Sequence, residues 1–237
     1  MNGKVALITG GSKGIGYGIA KSLLEQGVNV AVTSRSEDSA NETASKLNGL
    51  GFAGKAIGIT VDVRNYESQQ RGVELVLERF KHLDIVIANA GLGYFASIED
   101  LSVKQWQDTI DTNLTGVFYT IKAAVEALKQ TKGYFITISS LAGTNFFAKG
   151  SAYNASKFGL TGFTQSVMLD LRQYGVKVST IMPGSVSTYF NGNVPDEKDA
   201  WKIQIEDIGE LVVDLLKMNP RTLPSKIEVR PTTPPSK

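Results

Sequence analysis

The chain has 237 residues, of which 42% are hydrophobic and 20% charged, enough apolar material for a core, and disordered and fibrous classes are excluded. With 25 Lys and Arg against 23 Asp and Glu, the formal net charge is +2, too balanced for phosphate-backbone attraction, so no nucleic-acid partner is expected and any anionic ligand must be held locally. No cysteine is present, which excludes disulfides, thiolate nucleophiles and Cys-ligated metal sites.

In chain order, short β-rich runs alternate with longer helical patterns. The first run, 4–9, passes through Thr9-Gly10-Gly11-Ser12-Lys13-Gly14-Ile15-Gly16 into a helix at 15–26. A glycine loop between strand and helix suits a phosphate, because Gly10 permits the tight turn, Gly14 lets backbone approach a pyrophosphate and Gly16 allows close packing. The spacing G-x-x-x-G-x-G differs from the dinucleotide fingerprint G-x-G-x-x-G, so an ordinary glycine turn remains the alternative. Strand 28–33 leads to Thr33-Ser34-Arg35-Ser36, where dinucleotide folds commonly place an acid for the ribose hydroxyl. Arg35 suits a 2′-phosphate instead, with Ser34 as a donor and Lys13 as a second cation. The alternative is two solvated surface cations. A helix at 38–48 follows, then strand 55–61, a helix at 66–80 and strand 84–88.

The next helical pattern is read as continuous over 102–130 and contains Asn113. Strand 134–139 ends at Ser139-Ser140, and helix 152–173 carries Tyr153 and Lys157 on one face. A tyrosine titrates near about 10, so an ammonium favouring the phenolate makes it a usable acid-base. Strand 176–181 precedes Pro183-Gly184, a polar segment over 189–204 and a helix at 206–217. The tail from Arg230, with three prolines, is expected to be extended and a poor place for chemistry. The strands are apolar with little alternation, as when helices cover both faces. The expected architecture is α/β, a Rossmann-type doubly wound, mainly parallel sheet of six to seven strands in one domain, 1–237. His82 precedes the fourth strand at its amino end, away from the crevice, which removes a Ser-His reading of Ser140. No metal site is expected. No run approaches the roughly 18 apolar residues of a membrane span, and the opening run 5–8 is far short of a signal core, so a cytoplasmic, membrane-free protein is expected.

These residues together resemble the short-chain dehydrogenase/reductase family over 4–190 and more loosely beyond. The matching elements are the glycine loop, Asp62, Asn89-Ala90-Gly91, Asn113, Ser140, Tyr153 with Lys157, and Pro183-Gly184 with Thr188. The chain looks similar to 3-oxoacyl-[acyl-carrier-protein] reductases and related NADP-dependent carbonyl reductases. The resemblance implies a tetrad in which Tyr153 delivers a proton to a carbonyl oxygen polarised by Ser140. Lys157 would bind the nicotinamide ribose and depress the tyrosine pKa, and Asn113 would hold a water in the proton relay. Asp62, beside Val63, would contact the adenine amino group, Asn89 and Gly91 would line the adenosine side, and Val186 and Thr188 would hold the carboxamide.

The implied cofactor is NADP(H) in preference to NAD(H), with residues up to about 185 binding it and 186–205 forming the substrate loop. The implied partner is a small carbonyl or alcohol, either free or carried on an acyl-carrier protein. In such reductases carrier docking uses arginines at positions that here are Thr131 and Tyr174, with Lys129, Lys132 and Arg172 nearby. A homodimer or homotetramer through the long helices is implied. Tyr94, Phe95, Phe146, Phe147, Tyr189 and Phe190 either wall the substrate or serve core and oligomer contacts.

Overall fold

The computed structural model describes residues 1–233. Its β-branched runs become seven strands: β1 (Val5–Ile8), β2 (Asn29–Ser34), β3 (Ala56–Thr60), β4 (Ile85–Ala88), β5 (Tyr134–Ile138), β6 (Lys177–Pro183) and β7 (Lys226–Val229). All pairings are parallel and the order is β3-β2-β1-β4-β5-β6-β7. β7 is the strand that no apolar run announced. Its residues alternate between exposed and half-buried, as an edge allows, and they pair with β6 from Thr180↔Lys226 to Pro183↔Val229.

The helices are α1 (Gly14–Glu25), α2 (Glu37–Asn48), α3 (Tyr66–Phe80), α4 (Val103–Ile110), α5 (Gly116–Thr131), α6 (Ser151–Leu171) and α7 (Ile205–Lys217). Ser36, Asn65 and Ser102 cap α2, α3 and α4 by accepting an amide proton three residues on, each offsetting one orphan donor. The expected continuous helix over 102–130 is corrected: a π turn, Asp111–Thr115, separates α4 from α5. Its bonds lengthen to i→i+5, which inserts a residue and turns Asn113 into the protein.

Successive strand residues point to opposite faces, so the core divides in two. Ile8, Val32, Ile87 and Ile136 pack under Leu23 of α1, Leu47 of α2 and Val212 of α7. Leu7, Val86 and Phe135 pack under Val76 of α3, Leu128 of α5 and Leu160 of α6. Each large side chain buried this way contributes about 1.5–3 kcal/mol. Among the described residues no helix is long and apolar enough to cross a membrane.

The start of the tail reaches the cleft. Arg230 and Pro231 border the large cleft, and Pro231 stands close to Gly184, whose N–H donates to Val229 at 2.8 Å. Residues 234–237 of that tail lie outside the described residues.

Candidate active site

Parallel strands present their carboxyl ends on one edge, and the order reverses between β1 and β4, so the loops after them part and leave a crevice. The cleft has a volume of about 1640 Å³ and runs from the glycine loop to the loops after β5 and β6.

At one end it is lined by Gly10, Ser12, Lys13, Gly14 and Ile15. Gly10 takes a φ of 62°, and a Cβ there would stand 2.9 Å from Ala90 Cα. Gly16 sits behind the loop, with Asn89 Nδ2 where a Cβ would project. That amide donates to the Thr9 and Gly10 carbonyls at 3.0 Å each, so Asn89, though it borders the cleft, braces the glycine loop with both its amide hydrogens. The first turn of α1 has neither a side-chain cap nor an acid, which leaves its amides facing the cleft for an anion.

Ser34 and Arg35 line the adjoining wall. Ser34 Oγ accepts from Ser36 N–H, leaving its own proton to donate. Among the described residues neither Arg35 nor Lys13 takes part in an ion pair. The room, the left-handed glycine turn, the uncapped helix and two free cations together fit a dinucleotide.

Asp62 and Val63 follow β3 on the same wall. The Asp62 carboxylate is gripped by Arg64, with Nη2 at 2.7 Å and Nε at 3.0 Å. The Arg64 guanidinium, with a smaller pull from Arg35, holds Asp62 below the usual carboxylate range. Arg64 also reaches Asp108 of α4 at 3.7 Å. Only the fold reveals that Arg64 occupies the acid expected to face adenine.

At the other end Tyr153 and Lys157 lie one turn apart on α6 and both border the cleft. Lys157 is 5% exposed, and its Nζ donates to the Ile138 carbonyl at 2.9 Å, 5.7 Å from the centre of the Tyr153 ring. Burial pulls its pKa down to about 8. Burial also pushes the Tyr153 phenol above its ordinary value, opposed by the Ser140 hydroxyl. The resemblance implies that Lys157 depresses the tyrosine; in this structure burial outweighs the Ser140 hydrogen bond at the phenol, and the ammonium lies 5.7 Å from the ring centre.

Ser140 borders the cleft and accepts from Ala142 N–H at 3.1 Å. Ser139 turns its hydroxyl towards α6, 3.3 Å from the Lys157 carbonyl and 3.2 Å from Thr161 Oγ1, so Ser140 is the serine that accompanies Tyr153. Asn113 is fully buried in the π turn. Its Nδ2 donates to the Leu92 carbonyl at 2.8 Å and to Ser156 Oγ at 3.0 Å, while its Oδ1 accepts from Leu92 N–H. Both amide hydrogens are occupied, so any water held by this side chain would have to donate to the second lone pair of Oδ1. Gly91 lies between Asn113 and Lys157.

Pro183, Gly184, Val186 and Thr188 border the cleft opposite Gly14, and a Cβ at Gly14 would stand 3.5 Å from Thr188. Val186 forms a bridge to Ile203. Tyr94, Phe146, Phe147, Tyr189 and Phe190 all line the cleft, and Phe95 packs edge-on against Tyr153 at 5.5 Å between centroids. Sequence patterns missed Trp201, a lining residue, and Asn154, which holds the turn after Ser140 through the Ala142 and Asn145 carbonyls. His82 is remote, 3.2 Å from both the Gly3 carbonyl and Asp84 at the amino end of β4.

A parallel sheet with a crevice at the reversal of strand order, a glycine loop and a Ser-Tyr-Lys cluster defines a dinucleotide-fold oxidoreductase class. The short chain dehydrogenase family model matches residues 4–199, and the chain belongs to that family. A trans-4-hydroxycyclohexanecarboxylate dehydrogenase of Sinomonas cyclohexanicum is 38% identical over 217 residues, 86% of this chain and 83% of that protein. A putative ketoacyl reductase of Streptomyces coelicolor is 32% identical, covering 94% of this chain and 87% of its own. The alcohol dehydrogenase of Thermococcus sibiricus, solved with 5-hydroxy-NADP, superposes with a TM-score of 0.89 at 32% identity and 99% coverage of both chains.

Proposed function

We propose that the protein is an NADP(H)-dependent oxidoreductase that interconverts a ketone and a secondary alcohol, with Tyr153 as the proton donor and acceptor. The observation that carries this reading is the meeting of Tyr153, Ser140 and Lys157 at one end of a cleft whose other end holds the glycine loop and the unpaired Lys13 and Arg35. Several related structures are described as complexes with NADP or NADPH, which supports the nucleotide assignment.

The bound nicotinamide supplies or takes the hydride. The chain's own residues hold the carbonyl and manage the proton. Tyr153, kept neutral by its surroundings, gives its proton to the oxygen, and Ser140 donates a hydrogen bond to the same atom. Lys157 would hold the nicotinamide ribose. Ser34 and Arg35 receive the 2′-phosphate, assisted by Lys13, because a guanidinium meets a phosphate bidentately.

Tyr153→Phe tests this reading. We expect kcat to fall by at least about 100-fold, as for loss of a positioned acid, while NADPH is still bound. Arg35→Asp in the same assay is expected to move preference towards NADH. Substantial turnover by Tyr153→Phe would reassign the proton donor, and unchanged NADPH preference in Arg35→Asp would make Arg35 a surface cation.

An acyl-carrier substrate is less well supported. Thr131 donates to the Leu83 carbonyl, and Lys129 is paired with Glu126 at 2.9 Å and lies 4.3 Å over the Tyr174 ring. Lys132 and Arg172 remain for an acidic partner. The assembly we propose is a homodimer or homotetramer through α4, α5 and α6.

A further inference from the structure

Three Asn-Gly pairs occur in the chain, Asn2-Gly3, Asn48-Gly49 and Asn191-Gly192. Such a pair carries chemistry of its own. The glycine nitrogen can attack the asparagine side-chain carbon, because no Cβ on the glycine blocks the approach and its backbone turns freely. The fold treats the three pairs differently.

Asn48 ends α2 with both ends of its amide held, Nδ2 donating to the Ala56 carbonyl and Oδ1 accepting from Ala56 N–H, each at 2.9 Å. The attacking nitrogen is held as well, since Gly49 N–H donates to the Ser45 carbonyl at 2.9 Å. Gly3 N–H likewise donates to the Gly27 carbonyl at 3.1 Å, so it cannot turn towards Asn2 without breaking that bond. Asn191-Gly192 lies in the cleft wall, on the segment after β6. Asn191 is exposed, and among the described residues its side chain makes no hydrogen bond. It takes φ 56° and ψ 36°, outside the helical angles of the single turn around it. Gly192 follows at φ 77° with nothing within 4 Å of where a Cβ would stand. Two successive left-handed residues in open space can rotate without disturbing packed neighbours. The next asparagine, Asn193, is tied by its Nδ2 to the Phe190 carbonyl at 2.8 Å and is followed by the β-branched Val194.

We propose that Asn191 is a site of spontaneous covalent modification, at which the Gly192 nitrogen attacks Asn191 Cγ, expels the side-chain nitrogen as ammonia and closes a five-membered imide. Water then opens the imide at either carbonyl. One opening leaves aspartate, and the other leaves isoaspartate, whose backbone runs through the former side chain and is one carbon longer. Either product puts a carboxylate on a neutral stretch of the cleft wall, and water is the only co-reactant. The neighbouring Phe190 tilts against the Tyr153 ring at 5.7 Å and stands 2.9 Å from where a Gly93 Cβ would project. A longer backbone one residue on displaces that ring. On the oxidoreductase reading above, turnover therefore declines as the site ages.

The test holds the native protein at mildly alkaline pH for days and then digests it with trypsin, which puts Asn48 in peptide 47–55 and Asn191 in peptide 178–198. Peptide 178–198 is expected to gain about 1 Da, the exchange of an amide for a carboxylate, with the gain placed on Asn191 by fragmentation. It is expected to do so at least about tenfold faster than peptide 47–55, because folding protects only the latter. In urea, where that protection is lost, the two rates are expected to agree within about threefold. Asn191→Gln is expected to abolish the native gain on 178–198 and to retain, after ageing, a larger fraction of its own fresh NADPH-dependent turnover than wild type does. Equal native rates at the two pairs, or a gain on 178–198 that persists in Asn191→Gln, would overturn the proposal. Equal fractional loss of turnover in both proteins would overturn the effect on Tyr153. Fresh protein without turnover of any carbonyl would overturn the oxidoreductase reading instead, with the mass gain still deciding the site.

Discussion

Among the described residues, protonated Lys157 is held by a single hydrogen bond, to the Ile138 carbonyl, with Tyr153 packed against it and no carboxylate paired with it. Its pKa falls from 10.5 to about 8 on folding, which corresponds to about 3 kcal/mol withdrawn from the folded state while both states are protonated. The unfolded chain binds more protons between pH 8 and 10.5, so stability from this group rises with pH across that window and is lowest below it. Lys157→Met is therefore expected to raise Tm at pH 7 by up to about 6–12 °C, from about 3 kcal/mol at about 2–4 °C per kcal/mol for a chain of this size, while abolishing turnover. A lower Tm measured calorimetrically at pH 7 would show that the ammonium is well accommodated. The raised tyrosine and lowered lysine also predict that kcat/KM for reduction falls above about pH 8 as Lys157 loses its charge. Helical spacing placed Tyr153 and Lys157 on one face and a strand end marked Ser139-Ser140, but the choice of Ser140 and the grouping of the three came from the family resemblance. The partners of Asp62 and Asn113 were not legible, since Arg64 and Ser156 reach them only through folded geometry.

The π turn at Asp111–Thr115 is the element that the 3.6-residue pattern hides. Apolar periodicity continues across it, so 102–130 reads as one helix, and the single inserted residue registers only as a buried asparagine. Asn113 then acts as a tie between the loop after β4 and α6, through Leu92 and Ser156. Asn113→Ala leaves the half-buried Leu92 amide and carbonyl unpaired, and a loss of about 2 kcal/mol is expected, the low end of roughly 1–3 kcal/mol for each of two unsatisfied groups. Urea unfolding measures this directly, and a loss under about 0.5 kcal/mol, the range of surface substitutions, would show that the turn does not depend on the tie. β7 escaped notice for a different reason. Edge strands need only one buried face, and Lys-Ile-Glu-Val is too short and charged to stand out.

Across the whole molecule, the parallel, doubly wound class was readable because βαβ units admit few topologies, whereas the strand order emerges only from the folded sheet. The convergence of three loops on Tyr153 was not, because loop paths depend on contacts such as the approach of Phe190 to Gly93. The outward faces of α4, α5 and α6 carry Trp106, Phe118 and Phe158, each more than 40% exposed. Wild type is expected to sediment as a dimer or tetramer at micromolar concentration, and Phe118→Glu to shift it towards monomer. A monomeric wild type would remove these helices as an interface. The division of the core between the two faces of the sheet has a further consequence, during synthesis. Helices α3, α5 and α6 roof one face from the middle of the chain, whereas α1 shares its cluster with Ile208 and Val212 of α7. A nascent chain emerging from the ribosome therefore carries Ile19, Leu23 and Leu24 without their final cover until α7 is made. Apolar surface left uncovered over such an interval is what makes a partly made chain prone to aggregate.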